Sequence, residues 1–317
     1  MPRRTVSHCH SRPASVSNPS TAVDMPLNPL SESAPTDFED AELVSAARGG
    51  SADALEQLVL RHQRWIYNIV RRMSYNPVDA EDATQEILIK VITKLSTFEA
   101  RSSFRTWLYR IVVNHVLNRQ RSSSESAGWT FERYHRALQD VPDAELPEDR
   151  TTPADRQVLV QEAKIACTTG VLLCLDREQR LVYILGEIFD VRDRVGADLL
   201  EISRANFRQK LSRARRDLHR FLQNQCGLVN PDNPCRCAKK THGFIEAGYV
   251  NAERLVFVSD RMTAVREVAP RAADALEQFD ERLAGLFRDH PFHDTPDFVA
   301  RLKPLFTDLG NSPLMES

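Results

Sequence analysis

Apolar residues recur three and four apart along the first third of the chain: Leu55, Leu58 and Val59, then Trp65, Ile66, Ile69 and Val70. That period predicts helices that each bury one stripe. Tyr75-Asn76-Pro77 interrupts the run. The next stripe, Ile87, Leu88, Val91, Ile92 and Leu95, follows Asp79, which the pattern predicts as the helix cap. Together these runs predict one helical domain over 38–121. Over 122–156 the periodicity fails, Pro142, Pro147 and Pro153 enter, and eight acidic residues stand against four arginines, the composition of a flexible linker. Helical periodicity returns over 157–225. A Cys-, Gly- and Pro-rich segment follows over 226–249, and the extension over 250–317 again places Leu276, Phe279, Leu283, Leu286 and Phe287 at helical spacing. The expected fold is all-α: two helical domains joined by a flexible linker, plus a mostly helical C-terminal extension.

Composition narrows the class. The chain has 317 residues, long enough for more than one core. Residues 1–37, dominated by Ser, Pro, Asn and Thr, predict a disordered tail with no apolar segment of the kind an export signal needs. No run approaches the roughly 18 apolar residues needed to span a bilayer, so no membrane insertion is expected and the cytoplasm is the expected compartment. The formal net charge of −2 would disfavour nucleic acid if charge were evenly spread, so segregation of the basic residues decides the matter.

They are segregated. With Ser203 as a helix cap, Phe207, Leu211, Ala214 and Leu218 form one apolar face. Between Ser203 and Arg220 the rest of that helix carries seven Lys or Arg residues against the single acid Asp217. Such a helix fits a DNA major groove, with Arg204, Ala205, Arg208, Gln209, Ser212 and Arg213 on the reading side. A surface helix with merely solvated arginines has the same charge. The preceding segment Arg194–Leu200, with Ala197 where two helices pack closely and Glu201-Ile202-Ser203 as the turn, resembles a helix-turn-helix. Glu201 stands where glycine would most easily take the turn's left-handed conformation.

A second basic segment lies in the first domain. From Arg101 to Arg121 five arginines and no acids interleave with Phe104, Trp107 and Tyr109. Aromatic faces that stack on bases and arginines that hold the backbone bind single-stranded nucleic acid. The alternative for Phe104, Trp107 and Leu108 is burial in a core.

The run Asp79-Ala-Glu-Asp-Ala-Thr-Gln-Glu86, followed by Phe98, Ser103-Phe-Arg-Thr-Trp-Leu-Tyr-Arg-Ile111 and Asn114, resembles the second conserved region of extracytoplasmic-function sigma factors. Leu175–Leu185 with Ser203–Arg215 resembles their fourth. The resemblance covers roughly residues 38–222. It implies a non-enzymatic subunit that binds core RNA polymerase and directs transcription initiation at promoter DNA. By analogy Asp79, Asp82, Gln85, Glu86, Ile89 and Lys90 dock on the polymerase. Arg101, Phe104, Arg105, Trp107, Arg110, Asn114 and Asn118 engage the minus-ten element, where Asn118 departs from the family's frequent acid. The basic helix reads the minus-thirty-five element, and an anti-sigma factor is an expected regulatory partner. No phosphate-cradling loop or nucleophile with its base is visible.

His219, Cys226, Cys235 and Cys237 supply three thiols and an imidazole, a donor set suited to tetrahedral zinc, although the spacing is not that of a common zinc finger. Free or redox-active thiols are the alternative, and no cofactor is required by the sigma resemblance. The extension exceeds what a minimal member of the family needs and is expected to be regulatory. Two other classes compete: a stand-alone helix-turn-helix regulator of duplex DNA, and a zinc- or thiol-dependent enzyme built on the cysteines.

Overall fold

The computed structural model describes residues 29–30, 37–119, 128–147, 153–258, 263–268 and 278–310. Among these every regular element is helical, and two isolated bridges, Cys226 with Cys235 and Ala264 with Pro291, extend into no strand.

The first unit is α1 (Asp37–Arg48), α2 (Ala52–Met73), α3 (Pro77–Thr93) and α4 (Phe104–Asn118), with a short 3-10 turn at Leu95–Thr97. Ser51 caps α2 by accepting from the Ala54 amide, and Ser103 caps α4 by accepting from the Thr106 amide at 3.3 Å. The cap of α3 is Asn76, not Asp79: the Asn76 side chain accepts from the Val78 amide at 2.9 Å and Pro77 opens the helix. Asp79 sits in the first turn, where its charge complements the helix dipole. The predicted stripe is buried as expected, with Trp65, Ile66 and Ile87 fully enclosed.

The second unit holds α6 (Pro153–Leu172), α7 (Arg177–Tyr183), a π-helical turn at Ile184–Ile188, α8 (Asp193–Leu199) and α9 (Arg204–Gln225). Between the units the acidic segment contains a helix of its own, α5 (Phe131–Asp140), capped by Thr130 and with no residue fully buried. Its alternation of charged and apolar residues is too short to stand out beside Pro142. The extension contributes α10 (Cys237–Glu246), α11 (Val265–Val268), α12 (Gln278–Arg288) and α13 (Phe298–Gly310). Of the extension residues expected at helical spacing, Leu283, Leu286 and Phe287 are buried. Leu276 lies outside the described residues.

The two units and the extension share one continuous hydrophobic cluster. Trp65 of α2 meets Phe189 of the second unit at 5.3 Å between ring centroids and Phe292 of the extension at 4.9 Å. Each side chain buried this completely contributes about 1.5–3 kcal/mol relative to exposure.

Polar bonds fix the extension in place. Asn68 donates to the His293 carbonyl at 2.8 Å and accepts from the His293 amide at 2.9 Å. Arg72 donates to the Pro291 carbonyl at 2.8 Å and lies over the Phe189 ring. Burial, with Arg71 alongside, lowers the Arg72 guanidinium to about 9. On the other unit, the buried Glu162 carboxylate accepts from the amides of Val256, Phe257 and Val258, and Arg288 donates to the carbonyls of Glu187 and Ile188.

Candidate nucleic-acid interface

The helix-turn-helix is α8, the turn Leu200–Ser203 and α9. Ser203 caps α9 by accepting from the Asn206 amide at 3.1 Å. Phe207, Leu211, Ala214 and Leu218 are all buried, which leaves the basic face outward. Glu201 adopts φ +55°, the left-handed conformation that the turn demands. The closest approach of the two helices is at Gly196: a Cβ there would stand 2.4 Å from the Phe207 ring, so only glycine fits. Ala197, expected at that contact, is buried one residue along and its carbonyl accepts from the Ile202 amide.

Arg204, Ala205, Arg208, Gln209, Ser212 and Arg213 fall at steps of one and three, which is a single face of α9, and all are exposed. Asp193, at the start of α8, pairs with Arg204 at 2.9 Å and Arg208 at 3.5 Å. The Arg204 hydrogen bond holds the Asp193 carboxyl below its ordinary value. These partly exposed pairs orient the arginines without neutralising the face.

On α4, Trp107, Arg110, Asn114 and Asn118 lie along one stripe, with Asn114 and Asn118 exposed and Trp107 and Arg110 half-buried. Arg110 is engaged by the other unit: its guanidinium donates to Asp198 Oδ1 at 2.6 Å and to the Asp198 carbonyl at 3.2 Å. Arg101 pairs with Glu99, and Arg105 donates to the Pro29 carbonyl at 2.6 Å. Phe104 departs from the expectation of nucleic-acid contact. It is 4% exposed, packed between Phe98 and His62, and serves the core that carries Trp107.

On α3, Asp82, Glu86, Ile89 and Lys90 are exposed and Asp79 and Gln85 half-buried, on one side of the helix. Lys90 Nζ lies 2.8 Å from His115 Nδ1, and Arg119 reaches the Asp79 carbonyl and Glu86. Burial and Lys90 lower the His115 imidazole. The acidic end of this face is open to a basic partner.

The cysteines are placed differently from a four-ligand set. Cys226 and Cys235 are bridged through their backbones, Cys237 opens α10, and Cys167 of α6, which the spacing did not single out, is electrostatically coupled to all three. His219 lies two turns back along α9, about 10 Å from Cys226 along the axis. Among the described residues no three His, Cys, Asp or Glu side chains are arranged to hold a metal ion. Burial and mutual repulsion raise the Cys237 thiol to about 11, and burial raises Cys167 further. Among the described residues no helix is long and apolar enough to cross a membrane.

Residues 58–125 match the Sigma-70 region 2 family. The ECF RNA polymerase sigma factor SigM of Mycobacterium tuberculosis is 28% identical over 183 residues, 58% of this chain and 84% of that protein. SigW of Bacillus subtilis is 27% identical over 188 residues, 57% of this chain and 95% of its own length. The sigma-E factor of Escherichia coli reaches 40% identity over 80 residues, 25% of this chain and 41% of that protein. The region 2 match falls in the first helical unit, and extracytoplasmic-function sigma factors of two bacteria align with this chain along most of their own length.

Proposed function

We propose that the protein docks on core RNA polymerase through α3, engages the minus-ten element through the α4 stripe and reads the minus-thirty-five element through α9. The observation that carries this reading is the coexistence, on one chain, of an open acidic face on α3 and an open basic face on α9 that touch different chemistry. The stripe on α4 completes it, with Trp107 placed to stack and Asn114 and Asn118 to hydrogen-bond an unpaired strand. The protein supplies no catalysis of its own in this reading, works in the cytoplasm and needs no resident cofactor. Zinc remains a candidate ligand for Cys226, Cys235 and Cys237, which must turn toward one point to hold it; metal content of the purified protein tests this.

The extension acts as a built-in restraint. Its segment 291–294 covers the α2 face of Asn68 and Arg72 while Glu162 and Arg288 tie it to the second unit. Helix α8 then lies against α4 with Arg110 held by Asp198, so the two DNA-reading faces cannot separate to span a promoter. The α3 face stays open in this arrangement. Polymerase therefore meets the closed chain first, and the extension replaces or supplements an anti-sigma partner.

The test is transcription by core polymerase and the purified chain on a promoter library. Transcripts sharing an upstream motif are expected, lost on Arg208→Ala with polymerase binding intact and lost on Asp82→Arg through loss of polymerase binding. Binding of duplex promoter DNA without polymerase, and no transcripts from chains with or without residues 250–317, would instead make it a stand-alone regulator.

A further inference from the structure

A cavity of about 350 Å3 lies where four parts of the chain meet. Tyr75 reaches it from the α2–α3 turn, Trp129 and Tyr134 from the linker and α5, Gly170 from α6, and Phe244 and Tyr249 from the extension. No charged side chain lines it. Five of its eleven lining residues are aromatic: Trp129 meets Tyr134 at 5.6 Å, and Phe244 meets Tyr249 at 6.1 Å. The Tyr134 hydroxyl is spent on the Cys167 carbonyl at 2.7 Å, so it offers little polarity inward. Gly170 permits this closeness, since a Cβ there would stand 2.6 Å from that hydroxyl.

We propose that this cavity is a binding site for an uncharged aromatic small molecule of about two rings. Size and lining select that class. A dry apolar cavity of about 150 Å3 accepts benzene, so this volume suits a molecule about twice as large, and it falls at the lower end of the range of ligand pockets. Aromatic walls favour flat, polarisable guests through offset and edge-to-face contacts. A charged ligand would lose its hydration with no counter-charge to replace it. The guest also fixes α5. That helix buries no residue completely, yet it forms one wall of the cavity. Occupancy would press it onto α6 and the extension.

The site is independent of the sigma-factor reading, because binding is measured on the free, full-length chain. The probe is N-phenyl-1-naphthylamine, uncharged and fluorescent in apolar surroundings, with naphthalene as competitor. Saturable binding with one site per chain is expected, displaced by naphthalene and weakened at least tenfold by Ala137→Trp and by Ala166→Phe, both of which fill the cavity. Tyr134→Phe, which keeps the wall, should bind within a few-fold of the unaltered protein. Saturation should slow amide exchange across Phe131–Asp140. Absence of saturable binding overturns the proposal, as does binding that both filled variants retain. If the probe binds only after residues 120–127 are replaced by Gly and Ser, the cavity belongs to the chain's own segment and the proposal fails.

Discussion

Arg110 of the first unit donates to Asp198 of the second at 2.6 Å, so an arginine on the α4 stripe is held by the helix-turn-helix itself. Both side chains are partly exposed, at 32% and 53%, and the pair is worth at most about 1 kcal/mol. Its importance lies in occupancy. Asp198→Ala should leave thermal stability within about 1 kcal/mol of the parent and strengthen binding of a single-stranded minus-ten oligonucleotide several-fold. Asp217→Ala, which removes the same charge from α9, should not reproduce that gain.

Glu162 anchors the extension with bonds from three consecutive amides. Hydrogen bonds to a charged group contribute about 1.5–3 kcal/mol each, and their loss also strands buried N–H groups. Glu162→Ala should cost about 3 kcal/mol or more in chemical denaturation. It should also make the chain between Val250 and Val258 the earliest site of limited proteolysis. Unchanged cleavage there would show that the anchor is unimportant.

Gly196→Ala should damage the reading head specifically. The new methyl must displace the fully buried Phe207 ring, and overpacking of this kind costs about 1–3 kcal/mol. Duplex binding to the minus-thirty-five element is expected to fall more than tenfold while polymerase binding through α3 is retained, as measured by co-purification with core enzyme.

His290 makes the closed arrangement sensitive to acid. It is buried, 2.6 Å from the Thr168 hydroxyl, and burial together with Arg72 and Lys164 holds its imidazole well below the ordinary 6.5. The unfolded chain takes up a proton near 6.5 and the folded chain does not. Stability is therefore full above that pH and falls below it by about 1.4 kcal/mol per unit for this one group. Denaturation midpoints between pH 7.5 and 5.5 should show the decline; His290→Gln should lessen it, and the part that remains comes from His293, whose imidazole is also held well below 6.5 by burial and the neighbouring Arg71 and Arg72.

Much of the fold was legible in the period of the apolar residues. The Ser203 cap and the buried face at Phe207, Leu211, Ala214 and Leu218 follow from spacing alone, as does the left-handed need at Glu201. Asp79 was misplaced because Asn76 and Asp79 are both good caps, and only Pro77 at the first helical position separates them. Phe104 carries no mark of burial in its immediate neighbours; its burial depends on Phe98 and on His62, two helices earlier. The α5 helix was hidden by its shortness and by Pro142 just beyond its end. Least legible was Cys167, whose companions lie at least 59 positions away and are brought to it only by α10 packing on α6.

Trp65, Phe189 and Phe292 come one from each of the three parts of the molecule. Pulling the parts far enough apart to straddle a promoter leaves those rings facing water, at about 150–250 Å2 apiece. Such a chain would be sticky in free solution and vulnerable to aggregation and proteolysis. Unfurling is thus safest after the polymerase has been reached and offers cover. A surplus of unbound copies would stay folded shut and silent.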